Sequence, residues 1–318
     1  MPTEKTVKRI VIAGPTGIGK TSTSLSLVRK LRTSGKDATI ISADSRQCYK
    51  LLDIGTGKIS TSEMGGIPHF NISILNPDEP DTAAAFVRRA QNWEHEIHQS
   101  SQIPVYVGGS TLHLQSLIWP LDDIPGACVY NQIKLAEQEK VLGQDYILDL
   151  LKKADPVYVN QMDGYNRHRI FRALDVYMQT GNPFSSYHSD QNLAVVPDDT
   201  LLIVLTMNRI NHVSLIESRV EKMIQDGLVN ETQQILEKGY SPTLQSLQTV
   251  GYKEAIDYIN GSITHDEMIQ KIKTSTRQYA KRQATWFRRW KSAIFLDITD
   301  QTPDEIAEKI LFEFKRVL

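Results

Sequence analysis

Apolar residues follow two rhythms along the chain. Val7–Ala13 is a short, continuous apolar-rich run ending at glycine, the pattern of a strand buried on both faces. Ala38–Ala43 repeats it, and Pro104–Val107 gives a third such run, stopped by Gly108-Gly109. Between these runs the spacing turns helical. Thr21–Leu31 carries Leu25, Leu27, Val28 and Leu31, and Ala83–His98 places Phe86, Ala90, Trp93 and Ile97 at steps of three and four. Thr111–Ile118 resumes a helix after the glycines. Strand, helix, strand, helix, strand predicts a parallel sheet covered by helices.

From Tyr130 to about His188 the pattern is helical throughout, marked by Leu150-Leu151, Ile170 and Leu174. Thr200–Thr206 is a further buried strand. Helices are then expected at His212–Asp226, Asn230–Lys238 and Asp266–Arg289, a last strand at Ile294–Ile298, and a closing helix at Pro303–Val317. The arrangement predicts an α/β core built from residues 1–125 and 195–318, interrupted by a helical insertion over residues 126–194.

Composition narrows this picture without redirecting it. Hydrophobic residues are 40% and charged residues 23% of 318, which excludes wholesale disorder. Lys+Arg 36 against Asp+Glu 37 gives a net charge of −1, so nucleic-acid binding must come from local patches. The two cysteines, Cys48 and Cys128, have no zinc spacing and make no disulfide scaffold. The N-terminus lacks the apolar stretch of a signal peptide, and no run reaches the ~18 apolar residues of a membrane span, so a cytoplasmic protein with no membrane contact is expected. Nothing demands a dimer, and a monomer is expected.

Gly14-Pro15-Thr16-Gly17-Ile18-Gly19-Lys20-Thr21 matches G-x-x-x-x-G-K-[ST] directly after a strand and before a helix, the context this phosphate loop requires. Its glycines let backbone N–H groups turn inward around phosphate oxygens, and the following helix adds its positive end. Lys20 can reach the outer phosphate, and the Thr21 hydroxyl can hold Mg²⁺. The motif fixes a di- or triphosphate ligand and leaves the reaction open. Phosphate-loop enzymes usually add a strand ending in an aspartate for magnesium. Here Val105-Tyr106-Val107 ends in Gly108-Gly109-Ser110, which argues against an ordinary ATPase cycle and against a motor or switch GTPase.

Asp44 closes the second strand, at the carboxyl end where doubly wound sheets bind ligands. From position alone it reads equally as a general base toward an incoming nucleophile and as a helix cap.

At this point the ordered motifs carry a resemblance. Gly14–Thr21, Asp44-Ser-Arg-Gln-Cys-Tyr49, Asp53-Ile-Gly-Thr-Gly-Lys58, Gly66-Ile-Pro-His69, Pro104–Ser110, Arg172-Ala-Leu-Asp-Val176, Val250-Gly-Tyr-Lys253 and Thr276–Trp286 follow one another as in the tRNA dimethylallyltransferases. The chain resembles that family over nearly its whole length. The resemblance implies a P-loop NTPase-like parallel sheet core with an inserted, tRNA-binding helical domain. It implies transfer of a dimethylallyl group from dimethylallyl diphosphate to the exocyclic N6 amine of the adenosine 3′-adjacent to the anticodon, with the tRNA anticodon stem-loop as partner and Mg²⁺ as cofactor.

By the same resemblance the phosphate loop holds the prenyl diphosphate, Asp44 deprotonates the amine, and Ser110 stands where a threonine hydroxyl is usual. Ser110 also reads as a helix N-cap, a role compatible with the first. Arg219, in Glu217-Ser-Arg-Val-Glu221, matches a diphosphate-contacting arginine, with a solvated helical arginine beside two glutamates as the plain alternative. Ser45, Arg46 and Gln47 match the segment that contacts the extruded adenine. Gly251 and Lys253 fall among the implied tRNA contacts.

Two basic tracts suit the RNA backbone. His168, Arg169 and Arg172 lie on a helix of the insertion. Between Met268 and Leu296 stand Lys271, Lys273, Arg277, Lys281, Arg282, Arg288, Arg289 and Lys291 with no acid, and Arg282 and Arg288 are taken as tRNA contacts. Trp286 and Trp290, interleaved with them, read as core residues. The chain departs from the family pattern at Phe70, at His113 (read as a core histidine) and at Gln132, which lacks a neighbouring arginine. The sequence ends without the zinc-finger tail of eukaryotic relatives, which points to the bacterial type. Two other readings remain: a prenyltransferase acting on free adenine nucleotides, and, from another class, a P-loop kinase.

Overall fold

The structure is a computed structural model that describes residues 7–119, 124–187 and 195–316. Six strands form one sheet: β1 (Arg9–Ala13), β2 (Ala38–Ser42), β3 (His69–Phe70), β4 (Ile103–Gly108), β5 (Thr200–Thr206) and β6 (Ile294–Asp297). Their order is β3-β2-β4-β1-β5-β6, and every pairing is parallel. The helices of this part are α1 (Lys20–Thr33), α2 (Ala83–Gln99) and α3 (Thr111–Ile118). The insertion contributes α4 (Val129–Ala154), α5 (Pro156–Asn160) and α6 (Arg167–Thr180). After it come α7 (Arg209–Gln225), α8 (Leu228–Glu237), α9 (Tyr252–Ile259), α10 (His265–Phe287) and α11 (Pro303–Arg316).

The continuous apolar runs are explained by cover on both faces. Ile10, Ile12, Ile40, Val105, Leu201 and Ile203 face one way, into a core shared with Leu27, Val28 and Leu31 of α1 and Ile306, Ile310 and Phe314 of α11. On the other face, buried Tyr106 reaches α2, where its hydroxyl donates to Glu94 at 2.8 Å. A second core joins Val220 of α7, Leu228 and Ile235 of α8, Tyr252 and Ala255 of α9 and Ile272 of α10 to Tyr49 and Leu52. α9 and β3 were not expected. Two residues are too few for a period, and β3 exists because Ile40 and Ile41 offer a free edge in register with His69 and Phe70.

The chain divides into two compact units, one of residues 1–118 and 193–318, the other of 119–192. In the second, Leu135, Ile147, Leu151, Ile170, Phe171 and Leu174 make a separate core. Buried Asp175 organises its polar interior, accepting from Cys128 N at 3.1 Å, Asn131 Nδ2 at 2.9 Å and Gln179 Nε2 at 3.0 Å. Among the described residues no helix is long and apolar enough to cross a membrane.

Candidate active site

The phosphate loop joins the end of β1 to the start of α1. Gly19, the N-cap of α1, sits at φ +90°, a left-handed conformation that glycine adopts without steric cost. A second close approach lies at the end of β4, where a Cβ on Gly108 would come within 2.1 Å of Ala43 O. The glycine therefore lets β4 run against the end of β2, and Ser110 N donates to Ala43 O at 3.3 Å. Ser110 is thereby held beside Asp44.

A cavity of about 280 Å³ opens between these chain segments, lined by Thr16, Asp44, Ser45, Arg46, Ser110, Arg219, Gly251 and Tyr279, among others. Within it Asp44 takes the capping role its position allowed and leaves its second oxygen for the other. Oδ1 caps the following turn, accepting from Arg46 N at 2.8 Å and Gln47 N at 3.3 Å. Oδ2 accepts no hydrogen bond among the described residues and is available as a base. The Ser110 hydroxyl likewise has no partner there, so Ser110 is not a side-chain cap for α3.

Arg219 lines this cavity, and Lys20, outside its lining, lies close enough to interact electrostatically with Asp44 and Arg219. Lys20 Nζ donates to Gly14 O at 2.9 Å and Pro15 O at 2.7 Å. Burial pushes its pKa down to about 7; Asp44 acts to raise it, while Arg219 lowers it further. Burial also lowers the pKa of Arg219, against the pull of Asp44. The Arg219 guanidinium stays charged and donates to Thr56 O at 2.9 Å. It does not pair with its helical neighbours. Glu217 binds Arg277, and Glu221 binds Lys273 at 2.7 Å, so both acids tie α7 to α10 and leave Arg219 turned inward.

The structure distributes the other sequence candidates unevenly. Gln47 is not among the cavity-lining residues; its amide meets Ser42 Oγ, Thr56 O and Gly57 O at 3.3–3.4 Å. Lys253 is exposed and lines no part of the cavity. Arg282, Arg288, His168 and Arg169 are exposed. Arg172 is engaged inside its own unit, by Asp175 at 3.2 Å and by Pro125 O. Two of the basic residues counted toward RNA, Lys273 and Arg277, are instead the partners of α7. Trp290 is fully buried, and Trp286 donates to Gln115 at 3.0 Å. His113 is buried and stacks on Phe86 with ring centroids 4.8 Å apart.

The Thr21 hydroxyl is exposed at the head of α1 and has no partner among the described residues. No cluster of three or more His, Cys, Asp or Glu suited to a metal occurs among those residues. This donor set fits a Mg²⁺ carried chiefly by substrate phosphates and waters, with Thr21 as its protein ligand. Three residues that sequence reasoning did not single out support the site from outside: Glu231, His212 and Gln283.

A phosphate cradle opposed by a carboxylate and a free hydroxyl, with no acid ending β4, defines a phosphate-loop protein built for transfer chemistry rather than for NTP hydrolysis. The comparisons with known proteins agree. The family model described as "IPP transferase" matches residues 47–290, and one described as "Isopentenyl transferase" matches residues 7–73. The tRNA dimethylallyltransferase of Carboxydothermus hydrogenoformans is 38% identical over 96% of this chain and 97% of its own. That of Natranaerobius thermophilus is 36% identical over 96% and 91%. Among solved structures, the tRNA isopentenylpyrophosphate transferase of Bacillus halodurans superposes with a TM-score of 0.69 at 34% identity, covering 98% of both chains. A eukaryotic dimethylallyltransferase acting on tRNA gives 0.77 at 29% identity over 93% of this chain and 75% of its own. The chain belongs to the IPP transferase family.

Proposed function

We propose that this protein transfers the dimethylallyl group of dimethylallyl diphosphate to N6 of the adenosine 3′-adjacent to the tRNA anticodon, in the cytoplasm where unmodified tRNA is found. The N6 lone pair forms a bond to the allylic carbon as the bond from that carbon to oxygen breaks, and the electron pair leaves with diphosphate. Asp44 Oδ2 takes the amine proton. Ser110 holds the amine through its hydroxyl. The loop amides, Lys20 and Arg219 stabilise charge growing on the leaving group. The Thr21 hydroxyl would hold a Mg²⁺ at the head of α1, and that ion would supply further positive charge against the leaving group. Arg46 and Ser45 flank the adenine, which must leave its stack to reach the cavity. Exposed His168 and Arg169 of the insertion, and Arg282 and Arg288 of the core unit, meet the RNA backbone, whereas Arg172 serves the fold of the insertion.

The observation that carries this reading is the meeting of Lys20, Arg219, Asp44 and Ser110 where β4 offers no carboxylate. Two cations suit a diphosphate, and an unpartnered carboxylate oxygen suits a protonated nucleophile. Incubation with radiolabelled dimethylallyl diphosphate and unmodified tRNA, followed by nucleoside analysis, should give labelled N6-dimethylallyladenosine and free diphosphate. Labelling of AMP in preference to tRNA, or phosphoryl transfer from ATP to an acceptor, would overturn it.

A further inference from the structure

Gln283 lies on the buried face of α10, only 3% exposed, and its amide joins two backbone segments far apart in sequence. Oε1 accepts from Thr16 N at 2.9 Å, and Nε2 donates to Gly109 O at 2.6 Å. A primary amide offers one acceptor and a donor side by side, which is what this pair of backbone groups demands. The fit is close: a Cβ on Gly109 would fall 2.7 Å from Gln283 Nε2. Thr16 is held at its carbonyl as well, because His212 Nε2 lies 2.9 Å from Thr16 O and must donate to that acceptor. Burial lowers the His212 pKa and favours the neutral ring.

Thr16 belongs to the phosphate loop. Gly109 adjoins Ser110, whose amide is bonded to Ala43 next to Asp44. Gln283 is thus a single side chain spanning the leaving-group half and the acceptor half of the cavity. We propose that Gln283 is a positioning residue that fixes the distance between the phosphate cradle and the Asp44–Ser110 pair, and so governs the transfer step rather than the affinity for either substrate. The proposal rests on the reading of the site given above. In-line displacement requires reacting atoms about 3–3.5 Å apart, and a misplacement of about 1 Å costs on the order of 10²-fold. The Thr16 N–H is engaged by Gln283 and is therefore turned away from any phosphate, so the contact acts on the loop's position.

The test compares single-turnover transfer at saturating dimethylallyl diphosphate and tRNA in wild type, Gln283→Met and Gln283→Glu. Methionine keeps length and volume and loses both hydrogen bonds. Its transfer rate should fall roughly 30-fold or more, while diphosphate and tRNA dissociation constants stay within about 3-fold. Glutamate carries the finer readout. Ionised, it sets an oxygen against Gly109 O; protonated, it again offers a donor and an acceptor. The ratio of Gln283→Glu to wild-type rate should therefore rise as pH falls, a profile that a side chain needed only for packing would not produce. If Gln283→Met does not fold, the pH profile of Gln283→Glu decides. A Gln283→Met rate within about 3-fold of wild type, or a Gln283→Glu ratio flat with pH, overturns this inference and leaves the reading of the site intact. A wild-type protein that transfers no dimethylallyl group overturns both.

Discussion

Lys20 combines a hydrogen-bonding task with an unfavourable place for charge. Its pKa of about 7 in the folded protein lies below the ordinary 10.5, so between those values the folded protein holds it neutral while the unfolded chain holds it charged. The sign follows from proton counts: stability rises with pH across that window, because the unfolded state binds more protons there. A diphosphate beside Lys20 favours the ammonium, so binding restores the proton. Diphosphate binding at pH 8 should take up close to one proton more in wild type than in Lys20→Met, and the difference should vanish near pH 6. Calorimetry in two buffers of different ionisation enthalpy measures it, and equal uptake in both proteins at pH 8 would remove Lys20 from the diphosphate site. Asp44 allows a cleaner substitution than alanine. Asp44→Asn keeps the Oδ1 acceptor that caps Arg46 N and Gln47 N and removes only the base. Turnover should drop at least ~10²-fold with tRNA affinity nearly unchanged. Normal turnover in this variant would assign the amine proton to another group.

Between the elements, the segment from Asp53 to Lys58 is held by one carboxylate. Glu231 of α8 accepts from Asp53 N at 3.1 Å, Ile54 N at 2.8 Å, Gly55 N at 3.2 Å and the Tyr252 hydroxyl at 2.5 Å. The same segment offers Thr56 O to Arg219, so α8 supports that arginine at one remove. Glu231→Ala leaves three amides and a phenol without their acceptor and should cost about 2–4 kcal/mol of unfolding free energy. A urea titration tests this, and a loss under about 0.5 kcal/mol would show that the segment is fixed by other contacts. Glu231 also marks what the chain did not disclose in advance. Thr111–Ile118 and Thr200–Thr206 have the bounds their patterns predicted, because a contiguous run contains its own period. The phosphate loop was legible for the same reason. Gln283 reaches Thr16 across 267 positions, and Glu231 reaches Ile54 across 177. Their meaning lies in backbone groups that only the fold brings to them. Arg277 and Lys273 misled in the opposite direction, since a run of bases on α10 reads as an RNA face until the acids of α7 are seen opposite.

At the scale of the whole molecule, a net charge of −1 gives no general attraction to RNA, so affinity must come from the cations left unpaired by folding. On α10 and the residues after it, the structure divides the bases into two sets. Lys273 and Arg277 are neutralised by Glu221 and Glu217. Arg282 and Arg288 are exposed and form no ion pair among the described residues. Each phosphate neutralised releases counterions and adds roughly 0.7–0.9 to the slope of log affinity against log salt. Replacing Arg282 and Arg288 together with glutamine should therefore lower the slope of tRNA binding by about 1.5 and weaken binding at low salt far more than at high salt. Replacing Lys273 and Arg277 should leave the slope nearly unchanged and appear as reduced thermal stability, since it leaves two acids of α7 unpaired. Binding isotherms across a salt series separate the two cases. If the two double variants gave the same slope, the division into structural and RNA-facing bases would be wrong, and the anionic partner would have to be met by cations elsewhere on the chain.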